Sequence, residues 1–179
     1  MTHSAGSQPA GVPEPVEGHA AVPEGPHTGD RAPDFALSDQ HGQVVSRADL
    51  AGQPFLLVFY PYAFSGICSS ELKQLQTALD EFSAAGVRLL AVSVDTMFAV
   101  RTFADQLGLT FPLLSDFWPH GAVARKYGVF DAERGCALRG SFLVDADGVI
   151  DWSVRNEIGT ARDVAEHLRA ATDIGQRRS

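Results

Sequence analysis

Cysteine is scarce in this chain of 179 residues: there are two, Cys68 and Cys136. Two thiols exclude a disulfide framework and point to a reducing, cytoplasmic compartment. Basic residues are also in deficit, with 14 Lys and Arg against 22 Asp and Glu and a formal net charge of −8. That balance argues against nucleic acid or an anionic membrane as the main partner. No apolar run approaches the ~20 residues of a membrane span. The first residues lack the basic start and apolar core of a secretory leader, so none is expected. A glycine-rich phosphate loop is missing too. The histidines, His3, His19, His27, His41, His120 and His167, show no recurring ligand spacing, so no metal and no cofactor is implied.

What is present suits an ordinary soluble domain: 45% of the residues are hydrophobic and 20% charged. The length allows one domain with a full core. Residues 1–28 are rich in Pro, Gly, Ala, Glu and His and nearly devoid of large apolar side chains. Such a segment cannot bury enough surface to offset its ordering entropy, so a disordered tail is expected there. The folded domain is expected over residues 29–172, with a polar C-terminal tail over 173–179. Within the domain, Ala32–Leu37 and Val44–Ser46 flank a turn and read as a hairpin. The run Phe55–Tyr60 is apolar throughout, as a strand covered on both faces should be. A helix from Gly66, a strand over Val87–Val94 and a helix ending at Gly108 follow. A short strand at Phe111–Leu114 and a short helix over His120–Tyr127 come next. Then come a strand over Cys136–Val144, a turn at Asp145–Gly148, a strand over Val149–Arg155 and a last helix capped by Thr160. βαβ units force parallel neighbours and the tight turn forces an antiparallel pair. The expected fold is therefore α/β, a central mixed sheet with helices on both faces and an N-terminal hairpin.

The stretch Pro61–Cys68 links the strand at 55–60 to the helix that opens near Gly66. Cys68 thus lies in the first turn of a helix leaving the carboxyl end of a strand, where open α/β sheets place their chemistry. Unpaired N–H groups and the positive end of the helix dipole favour a thiolate there. Cys68 also heads the stripe Cys68, Leu72, Leu75, Leu79, Phe82, spaced 4, 3, 4 and 3. It reads equally well as a small core hydrophobe, and the loop alone leaves the two readings open. Pro61 fixes the entry of the loop. Ser65 brings a hydroxyl three residues before Cys68, and Gly66 permits close backbone approach. A proline lid, a hydroxyl and a thiolate around one small cavity suit a peroxide. That substrate needs a nucleophile at one oxygen and hydrogen-bond donors for the leaving oxygen.

Pro61-x-x-x-Ser65-x-x-Cys68 after a buried strand resembles the active-site signature of the peroxiredoxins, with Ser65 where the family usually has Thr. Three further stretches carry the same resemblance: Ala32–Phe35, Phe111–Asp116 and Arg139–Asp145. The run Ser115–Val123 is most similar to the alkyl hydroperoxide reductase E group of one-cysteine peroxiredoxins. The resemblance implies a thioredoxin-like fold and a cofactor-free, thiol-dependent peroxidase acting on hydrogen peroxide, organic hydroperoxides or peroxynitrite. It implies that Cys68 is oxidised to sulfenic acid, that Ser65 orients the peroxide and that Pro61 shields the sulfenate from over-oxidation. Arg139 is implied to hold the thiolate and the peroxide oxygens. Glu71, three residues after Cys68, would oppose a thiolate if unpaired, so a partner for it is expected, an arginine among the candidates. A simple first-turn dipole role stays open.

Cys136 is the candidate resolving cysteine. On one continuous strand it would point to the face opposite Arg139 and so away from Cys68. Lys73 stands where one group of relatives has a resolving cysteine. The favoured expectation is a one-cysteine mechanism. The sulfenic acid would be recycled by an external thiol, either a low-molecular-weight thiol with a glutaredoxin-like protein or thioredoxin. Phe64, Phe117 and Trp118 form an aromatic set on loops, either local packing or part of a homodimer contact beside the site, as the resemblance implies. Two rival readings remain. A thiol–disulfide oxidoreductase would need a second cysteine where this chain has Cys68-Ser69-Ser70-Glu71. A peroxide sensor or chaperone-like module would be oxidised without turnover.

Overall fold

Every residue of the strand Phe55–Phe59 is buried, so both of its faces must be covered. In the computed structural model, which describes residues 24–178, alternate residues of this strand feed two separate cores. Leu56 and Val58 join the first core, with Cys68, Leu72, Phe82, Phe103 and Ala171. Phe55, Leu57 and Phe59 join the second, with Val123, Tyr127, Phe142 and Cys136. Fully burying one such aliphatic or aromatic side chain is worth about 1.5–3 kcal/mol, and these layers hold the sheet in place.

The strands are β1 (Ala36–Asp39), β2 (Val44–Ser46), β3 (Phe55–Phe59), β4 (Arg88–Ser93), β5 (Leu113–Ser115), β6 (Phe130–Asp131), β7 (Cys136–Ala137), β8 (Arg139–Val144) and β9 (Ile150–Asn156). Seven of them form one sheet in the order β2-β1-β5-β4-β3-β8-β9, and β6 pairs with β7 separately. β3 runs parallel to β4 and antiparallel to β8, so the sheet is mixed as expected. β4 holds the middle place and β3 the one beside it. The hairpin β1–β2 joins the same sheet through an antiparallel β1–β5 pairing. The helices are α1 (Gly66–Thr77), α2 (Leu79–Ala84), α3 (Met97–Leu107), α4 (Ala122–Lys126) and α5 (Val164–Arg178). Buried residues of α1, α2, α3 and α5 lie in the first core, and those of α4 in the second.

Several expected boundaries move. The tail expected over 1–28 lies outside the described residues up to residue 23. Residues 24–28 rest on the domain: Arg155 donates to the Pro26 carbonyl, and a Cβ at Gly25 would come within 2.3 Å of the Tyr127 carbonyl oxygen. The C-terminal residues 173–178 are helix rather than a polar tail. Ile174, 3% exposed, extends the buried stripe of Val164, His167 and Ala171 by one more turn. Asp163 rather than Thr160 caps α5, accepting from the Ala165 N–H at 2.9 Å. The helix expected to run from Gly66 through Phe82 breaks at Ala78 (φ −89, ψ 4) into α1 and α2.

The strand expected over Cys136–Val144 is also broken. Leu138 N–H donates to Val129 O at 2.7 Å and Gly140 N–H to Leu138 O at 3.0 Å, a tight turn of backbone at Arg139. Cys136 therefore belongs to the small β6–β7 hairpin, paired with Asp131. Simple alternation along one strand does not set its direction relative to Arg139.

Candidate active site

The loop between β3 and α1 is fastened from several sides. Pro61 and Ala63 are buried. The Ala63 N–H donates to Asp95 Oδ2 at 2.8 Å, and Ser93 Oγ donates to the same oxygen at 2.8 Å. Tyr62 Oη donates to Arg134 O at 2.6 Å, tying the loop to the β6–β7 hairpin. Phe64 has φ 66, a left-handed backbone that costs a non-glycine residue about 1–2 kcal/mol. Its ring packs edge-on against Phe103 at 5.2 Å. Gly66 has no packing reason to be glycine: a Cβ there would meet nothing within 4 Å. The close approach expected at that position is absent.

Ser65 is the N-cap of α1, with extended backbone (φ −75, ψ 145). Its Oγ accepts from the Cys68 N–H at 3.4 Å. Capping engages an oxygen lone pair and leaves the hydroxyl proton free to donate, which is what orienting a peroxide or thiolate requires. Cys68 is the third residue of this 12-residue helix and is fully buried.

One turn further, Glu71 is buried at 3% exposure and accepts four hydrogen bonds. Arg139 Nη1 donates to its Oε2 at 2.6 Å. Arg162 supplies the other three: its backbone N–H to Oε1 at 2.5 Å, its Nε to Oε1 at 3.3 Å and its Nη2 to Oε2 at 3.0 Å. Burial pushes the Glu71 carboxyl up. The Arg162 bonds and then the Arg139 charge outweigh it, so the carboxyl is held below its usual range and stays ionised. The expected partner for Glu71 is thus found twice over.

Arg139 is 2% exposed, and its Nε donates to Ile158 O at 2.6 Å. It makes no hydrogen bond to the Cys68 sulfur in this structure. Among the described residues nothing accepts from its Nη2. Arg162 was not anticipated from the sequence. It lies in the irregular segment before α5, where no periodicity marks it. The one available signal was Glu71 itself, a carboxylate with several acceptor sites placed beside an apolar stripe. Arg162 Nη1 also donates at 2.8 Å to both Phe59 O and Gly140 O. These carbonyls lie where the β3–β8 ladder ends, at Val58↔Ser141, and lose their strand partners. Arg162 is electrostatically coupled to Cys68 as well as to Glu71 and Arg139.

Cys136, also free and buried, lies in the second core, across the sheet from the core holding Cys68. Burial pushes its thiol up, with the neighbouring Tyr62 hydroxyl opposing. It therefore stays protonated at neutral pH and is a weak nucleophile. The described residues contain no group of three or more His, Cys, Asp and Glu placed to hold a metal ion, and no helix long and apolar enough to cross a membrane.

Residues 28–153 match the model of the AhpC/TSA family. Alkyl hydroperoxide reductase E of Mycobacterium tuberculosis is 47% identical over 138 residues, covering 76% of this chain and 90% of that protein. The chloroplastic 2-Cys peroxiredoxin BAS1 of Hordeum vulgare is 36% identical over 155 residues, covering 80% of this chain and 73% of that one. The reduced 2-Cys peroxiredoxin of Plasmodium vivax superposes with a TM-score of 0.76 at 28% identity, covering 84% of this chain and 83% of that one. A thiol at a capped helix start, with a buried carboxylate and two guanidiniums one turn away, is accordingly set in the thioredoxin-like fold of these proteins, and the chain belongs to the AhpC/TSA family of peroxiredoxins.

Proposed function

We propose that Cys68 is the residue at which this thiol-dependent peroxidase attacks its substrate. The thiolate sulfur attacks one peroxide oxygen, the O–O bond breaks, Cys68 becomes sulfenic acid and the other oxygen leaves as water or an alcohol after protonation. Ser65 Oγ–H and the free Nη2 of Arg139 supply donors to the oxygens as charge develops. In the same reading Pro61, buried at the start of the loop, shields the sulfenate from over-oxidation. Cys68 has no exposed surface, so the residues packed around it must part for peroxide to enter. The observation that carries this reading is the buried Arg139–Glu71–Arg162 cluster one turn beyond Cys68. Two guanidiniums against one carboxylate leave a net positive charge beside the thiol.

Regeneration by an external thiol, a low-molecular-weight thiol with a glutaredoxin-like protein or thioredoxin, belongs to the same reading. It is supported by the protonated, oppositely buried Cys136. A homodimer through the loops around the site is supported by the exposed loop aromatics Phe64, Phe117 and Trp118, the last 80% exposed. Two unpaired thiols favour a cytoplasmic setting.

The test is Cys68→Ser. Peroxide consumption with a regenerating thiol should fall by on the order of 10³-fold or more. Retained rapid turnover would remove Cys68 from the chemistry. Stoichiometric oxidation of the native protein without turnover would favour a sensor over an enzyme.

A further inference from the structure

Given that Cys68 reacts with peroxide as proposed above, we propose that His167 is a positioning residue for the site. Through Ser141 it orients Arg162, and Arg162 fixes the carboxylate that holds Arg139. The imidazole lies on α5, 2% exposed, with the Trp152 ring edge-on at 5.2 Å. Its Nδ1 faces Asp163 O at 2.9 Å and its Nε2 faces Ser141 Oγ at 2.8 Å.

The polarity of this chain of bonds follows from what each group can do. A carbonyl oxygen only accepts, so Nδ1 carries the proton and donates to Asp163 O. Neutral Nε2 then has only a lone pair, so Ser141 Oγ donates to it. The hydroxyl has one proton and has used it, which leaves its oxygen to accept from Arg162 Nη1 at 3.0 Å. Arg162 continues through Nη2, Nε and its backbone N–H to Glu71, and Glu71 Oε2 accepts from Arg139 Nη1. No member can reverse without setting donor against donor. A protonated imidazole would turn the Ser141 proton toward Arg162, and burial keeps His167 neutral. Ser141 is two residues from Arg139 on β8, so both side chains leave the same face of the sheet. His167 is thus the far anchor of a directed relay that ends one turn from the reacting sulfur.

The test uses four variants of the full chain. His167→Leu keeps the volume but removes the acceptor. His167→Gln restores a carbonyl oxygen that can accept from Ser141. Ser141→Ala breaks the next bond. Trp152→Phe changes packing against the imidazole and leaves every bond of the relay in place. The readout is single-turnover oxidation of Cys68 by hydrogen peroxide, quenched and read by mass spectrometry, beside the Tm of each variant. His167→Leu and Ser141→Ala should slow oxidation roughly tenfold, the worth of one well-made hydrogen bond, and His167→Gln should recover to within roughly threefold of the native rate. Trp152→Phe should lower Tm and leave the rate unchanged. Oxidation at the native rate in folded His167→Leu would overturn the role, as would equal slowing in Trp152→Phe. If His167→Leu does not fold, Ser141→Ala decides in the same way. A native protein whose Cys68 resists peroxide would overturn the peroxidase reading instead, so the two failures are distinguishable.

Discussion

Cys68 and Cys136 are equally buried, and neither is in a disulfide. Their surroundings have little in common. Cys68 stands in the first turn of a 12-residue helix, capped by Ser65 and one turn from an ionised carboxylate held by two guanidiniums. Cys136 stands on a two-residue strand beside Asp131, the Tyr62 hydroxyl and apolar side chains. Burial acts on it with no buried cation to answer. The difference teaches what the role proposed for Cys68 rests on: a helix start and fixed cations supplied together beside one buried thiol and not beside the other. The carboxylates near the two thiols differ in the same way. Glu71 is enclosed with its arginines, whereas the Asp131–Arg134 pair is open on the arginine side, at 61% exposure.

That contrast sets the largest expected difference. Glu71→Ala leaves two buried guanidiniums without their counter-charge and should destabilise the fold by about 3–5 kcal/mol, measured by denaturant unfolding. Asp131→Ala removes a pair that is open to solvent on the arginine side, with two backbone N–H bonds to the same carboxylate, and should cost about 1–2 kcal/mol. Similar losses in the two variants would dissolve the distinction between the sites.

Next comes acid. His167 is pushed down by burial from 6.5 to about 4. Between these values the unfolded chain binds a proton that the folded chain does not, so stability falls as pH drops from about 6.5 toward 4, by about 3 kcal/mol in all. His167→Gln has no such group and should show a flatter curve over that window. Glu71, held below its ordinary 4.5, adds a loss of its own that sets in as pH falls through about that value. Curves for the native protein and His167→Gln that run parallel between pH 6.5 and 4 would show that the imidazole is not kept neutral by the fold.

Arg139→Ala tests the catalytic half of the contrast. It removes the free donor group and one of the two cations, and oxidation of Cys68 should slow by about 10²-fold. An unchanged rate would assign the positive charge to Arg162 alone.

How much of this was legible beforehand follows from the kind of signal each residue leaves. The all-apolar run of β3 and the 4, 3, 4, 3 stripe behind Cys68 are periodic and local, so sheet, helix and site loop could be placed from the chain. Arg139 was found through its neighbours in a family-like stretch. Arg162, Asp95 and His167 belong to no local pattern that carries chemistry. Each matters because the fold brings it to a carboxylate, a loop amide or a serine far away in the chain. The break at Leu138 was hidden for a related reason. Within residues 136–144 only the isolated Gly140 hints at an irregularity, and it is the bonds from Leu138 N–H to Val129 O and from Gly140 N–H to Leu138 O that divide the stretch.

The smallest expected effect is the sharpest on mechanism. Cys136→Ser should leave the first oxidation of Cys68 unchanged, because the Cys136 thiol is protonated and lies in the other core. Stability should drop by about 1–2 kcal/mol at most, since the Tyr62 hydroxyl lies close enough to partner the new one. Mass spectrometry of the oxidised native protein should then find sulfenic acid on Cys68. A Cys68–Cys136 disulfide at full occupancy would mean that the β6–β7 hairpin opens after oxidation, because a disulfide requires Cα atoms within about 7 Å and side chains that meet. The Tyr62 bond to Arg134 O is the tie that such opening would have to break, so Tyr62→Phe should then speed disulfide formation. With a one-cysteine cycle, Tyr62→Phe should leave the sulfenic acid waiting for an outside thiol just as the native chain does.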